Sequence, residues 1–225
     1  TQIGGGIMQL DFSIVPPYTE LLMTGVWWTL IIAVSSSIVS FFGGIAFALL
    51  VLYGNWLIRY PVRFFIWLFM GTPLLLQLFL LYYGLSQIGI NIPAVWTGVI
   101  GLGLHFAVYN SDIFRTAILT VDPGQNEGAR SLGFGNGQTL RYIIVPQAVR
   151  NALPQVGNNL IALLKDTALV SVIGITELVH ASQQAISETY SPFEFYITAA
   201  VIFYILNLIL EAGLHWMEKK VEAYR

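Results

Sequence analysis

Two long runs without a single Asp, Glu, Lys or Arg constrain this chain most. One lies between Glu20 and Arg59, the other between Arg63 and Asp112. A helix needs about 20 apolar residues to cross the hydrocarbon core of a bilayer. The first run therefore holds one span and the second holds two, parted by the turn sequence GINIP at residues 89–93. Only 10% of the 225 residues are charged, against about a quarter in soluble domains. Backbone polar groups inside lipid must be satisfied within the segment, which a helix does. The chain reads as an all-α polytopic membrane protein with five transmembrane helices. They are expected over residues 22–53, 63–85, 95–121, 152–176 and 194–217, in a single domain, 1–225.

The basic residues orient the spans. Arg59 and Arg63 follow the first span, Arg130, Arg141 and Arg150 follow the third, and Lys219, Lys220 and Arg225 follow the fifth. The N-terminal segment and the loops at 86–94 and 177–193 carry none. The positive-inside bias then puts the N-terminus outside and the C-terminus in the cytoplasm. TQIGGGIMQL lacks the positively charged start of a signal peptide. With no cysteine, disulfides and Cys-ligated zinc or iron–sulfur sites are excluded. No internal repeat, linker or low-complexity segment is visible.

This orientation makes 122–150 the longest cytoplasmic loop. Its sequence EGARSLGFGNGQTLRYIIVP, Glu127 to Pro146, is polar, glycine-rich and basic. EGARSL forms one short helix, started by Asp122 or Gly124. QTLRYIIVPQAV forms another, with Leu140, Ile143 and Ile144 at helical spacing. GFGNG breaks the two. These glycines are no phosphate cradle, since no strand precedes them and no Gly-Lys-Ser/Thr follows. The chain has no GxxxxGK[ST] anywhere. It is expected to be no enzyme, with no catalytic residue, no metal site and no cofactor of its own. Energy for any driven transport must then enter from a partner, and a rigid helix at the cytoplasmic face is something a partner can push.

Four charges fall inside the spans: Asp112, Arg115, Lys165 and Asp166. A charge at a helix centre costs about 2.5–3.5 kcal/mol, so such residues face a cavity or a partner. Asp112 and Arg115 are three apart on one helix face. One reading makes the four an internal salt-bridge set locking the third and fourth spans, with Lys165 reaching toward a polar boundary. The other makes them a pocket for a zwitterion, where Arg115 offers a planar fork to an α-carboxylate and Asp112 or Asp166 takes an ammonium. The readings are compatible, because a latch opens when substrate arrives. Thr72 and Gln77 flank Pro73 in a Gly-Thr-Pro break that either lines a cavity or merely kinks the span. Asn158, Asn159, Thr167 and Ser171 suit interhelical hydrogen bonding. His105 reads as a hydrogen-bonded packing residue, and His180 and His215 do not form a metal set. Trp27, Trp28, Trp56, Trp96 and Trp216 fall near span ends as an interfacial belt. Ser191, Pro192 and Glu194 read as N-cap, first helical residue and acidic first turn. ITELVHASQQAISE before them reads as a short outer helix over the pore mouth that helps receive an external protein.

The cytoplasmic loop resembles the EAA loop of ABC-importer membrane subunits. Glu127, Gly128 and Ala129 stand for Glu-Ala-Ala, Gly133 for the glycine four residues on, and Ile143, Val145 and Pro146 for the closing Ile-x-Leu-Pro. Gly128 in place of Ala weakens the helix by about 1 kcal/mol. MGTPLLLQLFLLYYGL (Met70–Leu85) is similar to the RGTPLLxQL stretch of polar amino-acid permeases, with Met70 at the Arg position. VYNSDIFRTAI (Val108–Ile118) is similar to AYxAEIFRGAI, with Asp112 at the Glu position. LLKDTALVSVIGITEL (Leu163–Leu178) is similar to LKDTSLVSVIxxxEL. The resemblance runs from about residue 20 to the C-terminus and is to the histidine/glutamine/arginine type. It implies the membrane subunit of an ABC importer in the bacterial inner membrane. It further implies a second permease subunit, two cytoplasmic ATPase subunits that hold ATP and Mg, and an external substrate-binding protein. No nucleic acid is expected as a partner. It makes Glu127 to Gly133 the docking helix for the ATPase, with Gly133 turning the chain and Pro146 directing it toward the fourth span.

Two other functions compete. An ion-coupled secondary transporter would use Asp112 and Asp166 as proton carriers, but five spans fit the inverted repeats of such carriers poorly. A non-transporting scaffold leaves the intramembrane charges without a role.

Overall fold

The computed structural model describes residues 10–222, and every regular element among them is helical. Helix α1 (Thr19–Tyr53) has 35 residues. Its buried face is built largely from small residues, among them Gly25, Thr29, Ala33, Ser36, Ser40, Gly44 and Ala48. Small side chains let helix backbones approach closely where lipid supplies no hydrophobic drive. A Cβ on Gly44 would stand 2.7 Å from the Asn110 Cβ, and one on Gly25 would stand 2.9 Å from the Ala181 Cβ.

Asn55 then caps α2 (Trp56–Met70) by accepting from the Ile58 N–H. Arg59 reaches back to donate to the Leu52 carbonyl at 3.3 Å. Helix α2 stops at Gly71, and the chain resumes after Pro73 as α3 (Leu74–Phe79), a π turn (Leu80–Gly84) and α4 (Leu85–Gln87). The chain bends by 111° between the two limbs. The second span is thus no straight helix over 63–85. Pro73 supplies no N–H to continue the ladder, and Gly71 and Thr72 take up the bend.

Helix α5 (Ala94–Leu119) packs on α1, α2, α3 and α8. After it come α6 (Pro123–Ser131), α7 (Asn136–Thr139), a π turn (Leu140–Ile144) and α8 (Val145–Asp166). The fourth span therefore starts well inside the expected loop 122–150. The π turn just before Pro146 accommodates the missing proline N–H, so the residue does not end the helix. Beyond Asp166 the chain tightens to a 3-10 stretch, Thr167–Ile173, and turns at Gly174 with φ 83°. Helices α9 (Leu178–Thr189) and α10 (Pro192–Glu222) complete the chain.

Three stretches are long and apolar enough to cross a membrane: Phe12–Tyr53, Asn136–Ile173 and Pro192–Lys220. The bent pair Trp56–Met70 and Leu74–Gln87 makes a fourth if it counts as one. Helix α5 has the length, with 26 residues, but its glycines, His105, Tyr109 and Asn110 lower its apolarity. It is walled by other helices on its buried side, so it needs less lipid-compatible surface.

Three buried clusters hold the helices. A large one joins Ile32 of α1, Leu74 and Leu78 of α3, Leu102 and Phe106 of α5, and Leu163 of α8. A second, toward the α5–α6 end, joins Ala117 and Val121 to Ala148, Ala152 and Val156. A third joins Leu22 to Leu178, Ala181 and Ala199. At that last end the N-terminus of α9 is buried, and its four leading N–H groups are all satisfied. Leu178 donates to Thr29 Oγ1, Val179 and His180 donate to the Glu177 carboxylate, and Ala181 donates to the Glu177 carbonyl. Pro192 opens α10 and Glu194 lies in its first turn as expected, whereas the Ser191 hydroxyl donates backward to the Thr189 carbonyl. The N-terminal turns fasten onto the same end. Tyr18 donates to Glu188 at 2.9 Å, and Asp11 N–H donates to Glu194 at 3.2 Å.

Candidate polar path and coupling helix

Helices α5 and α8 leave polar residues uncovered. His105 (half-buried), Tyr109, Asp112 and Thr116 lie on one face of α5 at three- and four-residue spacing, the last three exposed. On α8, Asn151, Gln155, Asn158 and Lys165 are exposed and Asp166 is half-buried. By contrast α10 exposes Tyr196, Ile197, Val201, Tyr204, Ile205 and Ile209, a surface that suits acyl chains. Polar stripes on two apolar helices call for water, cargo or a partner subunit against them.

The buried side of the same helices carries a polar joint. Asn110, fully buried, donates to Ser40 Oγ at 2.7 Å and accepts from Asn159 Nδ2 at 2.9 Å. Asn159 thus bonds across helices as expected, and Asn110 was not singled out in the sequence. Thr167 and Ser171 instead donate to carbonyls of their own helical turns.

Asp112 and Arg115 pair at 2.6 Å within α5, both half-exposed, and no other ion pair occurs among the described residues. The four intramembrane charges are therefore not one salt-bridge set. Taking the Asn110–Asn159 contact as a common level, Asp112 sits roughly 3 Å toward one end and Asp166 roughly 10 Å toward the other, at 1.5 Å per residue. Within one chain the acids form two stations. The Asp112–Arg115 pair opens on a cavity of about 400 Å³ that also takes in Arg63, Ile66, Trp67 and Met70. Arg63, assigned by sequence to a loop, joins this station because α2 begins seven residues before it. Lys165 and Asp166 close α8 at the other station.

Thr72 and Gln77 serve the helix break. The Gln77 amide nitrogen lies 2.9 Å from Phe69 O, 3.1 Å from Thr72 O and 2.8 Å from Thr72 Oγ1. Those carbonyls lose their helical partners at the break, and Gln77 replaces them. The other amide atom faces His105 Nδ1 at 3.0 Å.

In the 122–150 segment, Asp122 caps α6 by accepting from Gly124 N–H at 2.7 Å. The helix ends in a Schellman motif: Phe134 N–H donates to Ala129 O, Gly133 N–H donates to Arg130 O, and Gly133 has φ 85°. Ala129 is buried, while Glu127 and Gly128 are exposed. Leu132 is 80% exposed at the helix end. Gln147 ties α8 to α6 through Gln125 at 3.3 Å. Ile143 is half-buried in the π turn and Pro146 is exposed in the first turn of α8.

Long apolar helices with uncovered polar stripes, and a capped helix carried outside them, define the class of multi-pass membrane proteins. The model of the binding-protein-dependent transport system inner membrane components matches residues 40–223, and the chain belongs to that family. It is 36% identical to the arginine transport system permease protein ArtQ of Bacillus subtilis (strain 168), over 96% of this chain and 99% of that protein. It is 31% identical to the glutamine transport system permease protein GlnP of Escherichia coli (strain K12), over 96% and 99%. A crystal structure of an amino acid ABC transporter with histidines superposes with a TM-score of 0.89 at 39% identity, covering 95% of this chain and 100% of that one. An inward-facing MetNI methionine ABC transporter shares the fold, with a TM-score of 0.74 at 20% identity, over 91% of this chain and 98% of that one. The chain is thus an inner-membrane component of a binding-protein-dependent transport system, and the relatives named above are permease proteins.

Proposed function

We propose that this chain is the transmembrane subunit of an importer that moves polar or charged amino acids into the cytoplasm by alternating access, driven by ATP hydrolysis in a partner subunit. In this reading the single domain crosses the bacterial inner membrane five times, N-terminus outside. The observation that carries it is the pair of uncovered polar stripes on α5 and α8, which line a path against a second permease subunit. Cargo meets Lys165 and Asp166 at the outer station and Asp112, Arg115 and Arg63 at the inner one. The hydrogen-bonding capacity of Gln77 and Thr72 is largely taken up within the break, so they shape the path. An external substrate-binding protein delivers cargo near α9.

Helix α6 is the handle in the same reading. Glu127, Gly128 and the exposed Leu132 face a groove of the ATPase, whose bound ATP and Mg supply the energy. Ala129 anchors the handle, and Ile143 and Pro146 carry its motion into α8. Uptake competition with a panel of amino acids in the assembled complex tests the cargo class. Competition by basic or polar amino acids is expected, and competition by none of them contradicts it.

A further inference from the structure

The break of the second span fixes a proton position on α5. Three oxygens surround one atom of the Gln77 amide, those of the Phe69 and Thr72 carbonyls and the Thr72 hydroxyl. The Thr72 hydroxyl already gives its own hydrogen to Leu68 O at 2.9 Å. Only an NH₂ group, a donor without lone pairs to offer, suits that position. The remaining amide atom is then Oε1, an acceptor, and it faces His105 Nδ1 at 3.0 Å. An acceptor there requires hydrogen on Nδ1. In the neutral ring that leaves Nε2 with a bare lone pair. Nε2 makes no hydrogen bond among the described residues and is not a sealed orphan. The ring is half-buried, braced by Phe106 and by Tyr109, whose centroids lie at 5.4 and 5.2 Å. It heads the uncovered polar stripe of α5.

We propose that His105 is a cargo-contacting acceptor: Gln77 locks its Nδ1–H tautomer, and Nε2 presents a fixed lone pair to an N–H donor of the transported amino acid. This rests on the permease reading and narrows the cargo. An acceptor at this point welcomes an ammonium, amide or guanidinium and rejects a side-chain carboxylate, because two acceptors would be left unpaired. Gln77 is a positioning residue in this arrangement.

Two measurements on the complete complex in proteoliposomes test it. The first is nitrogen-15 NMR of histidine-labelled protein, with the His105 signals assigned by difference from His105→Asn. One protonated Nδ1 and one unprotonated Nε2 are expected. A protonated Nε2, as the other tautomer or as imidazolium, overturns the proposal. The second is uptake with L-arginine, L-glutamine and L-glutamate as probes. Asn places an amide donor where Nδ1 stood and nothing where Nε2 stood, so the bond to Gln77 survives while the lone pair goes. His105→Asn should raise KM about tenfold for L-arginine or L-glutamine with the melting temperature retained, and His105→Gln should recover part of it. An unchanged KM in a folded His105→Asn complex overturns the contact, as does wild-type preference for L-glutamate. Absence of any uptake by wild type sinks the permease reading itself, and the NMR result separates that failure from a wrong tautomer.

Discussion

Asn110 and Asn159 meet side chain to side chain at 2.9 Å across α5 and α8, and Asn110 is bonded in turn to Ser40 of α1. One buried amide therefore joins three helices between two apolar clusters. Replacing Asn110 with Ala strands both neighbours, and an unsatisfied buried polar group costs about 1–3 kcal/mol. Asn159→Ala strands only one, and single interhelical bonds in membranes average about 0.6 kcal/mol. The melting temperature of the purified complex should fall for both and more for Asn110→Ala.

Gly25 presses α1 against α9 with no room for a methyl group, since its Cβ would stand 2.9 Å from the Leu178 Cα and the Ala181 Cβ. The Leu178 obstacle is backbone and cannot swing aside. Gly25→Ala should cost about 1–3 kcal/mol by overpacking, read as a loss of thermal stability, whereas Gly213→Ala, with open space around it, should not destabilise.

Burial pushes the Glu177 carboxyl up from its usual 4.5 to about 7, against the two backbone N–H groups of Val179 and His180 that favour its charged form. A carboxyl whose folded value is raised adds stability below its unfolded value and loses it as pH rises through the folded one. The stability that α9 contributes should thus fall between about pH 4.5 and 7 and level off above, by on the order of 3 kcal/mol. Thermal melts of wild type and Glu177→Gln across that range check it. The variant should lack this fall, and an identical slope in both would reject the assignment.

Tyr190 ends α9 in the left-handed region, φ 57°, and is 85% exposed. A side chain there costs roughly 1–2 kcal/mol that glycine avoids. Tyr190→Gly should raise the melting temperature, and a decrease would mean that the ring has a partner in the assembled complex.

Charge placement made the long helices legible because a missing charge is visible one residue at a time. Thr19–Tyr53, Ala94–Leu119 and Pro192–Glu222 lie close to the expected 22–53, 95–121 and 194–217. The second span misled for the same reason. Arg63 looked like a boundary, yet α2 carries both Arg59 and Arg63 inside it, because Arg59 finds a carbonyl at the end of α1 and Arg63 opens on a cavity. Pro146 was legible inside a helix, but not that this helix runs on unbroken into the fourth long helix, because a π turn leaves no trace in composition. The Gln77–His105 bond, 28 residues apart, and the Asn110 joint depend on which helices touch, and no local pattern encodes that. The single Asn within the expected span 95–121 was the signal available for Asn110. In the 122–150 segment, Gly133 was readable because a left-handed C-terminal turn has a residue preference of its own.

Gly133 adopts φ 85° with open space around its Cα, so a side chain there is opposed by backbone conformation and not by a neighbour. Gly133→Val should leave the subunit inserted and assembled but remove the stimulation of ATP hydrolysis by cargo. Unchanged stimulation would mean that α6 is not the handle.

The most direct test is uptake of a labelled amino acid by proteoliposomes that hold this chain with the ATPase subunit proposed as its partner. Uptake is expected only with ATP on the cytoplasmic side and a soluble binding protein on the other. Uptake driven by a pH gradient without ATP would contradict it.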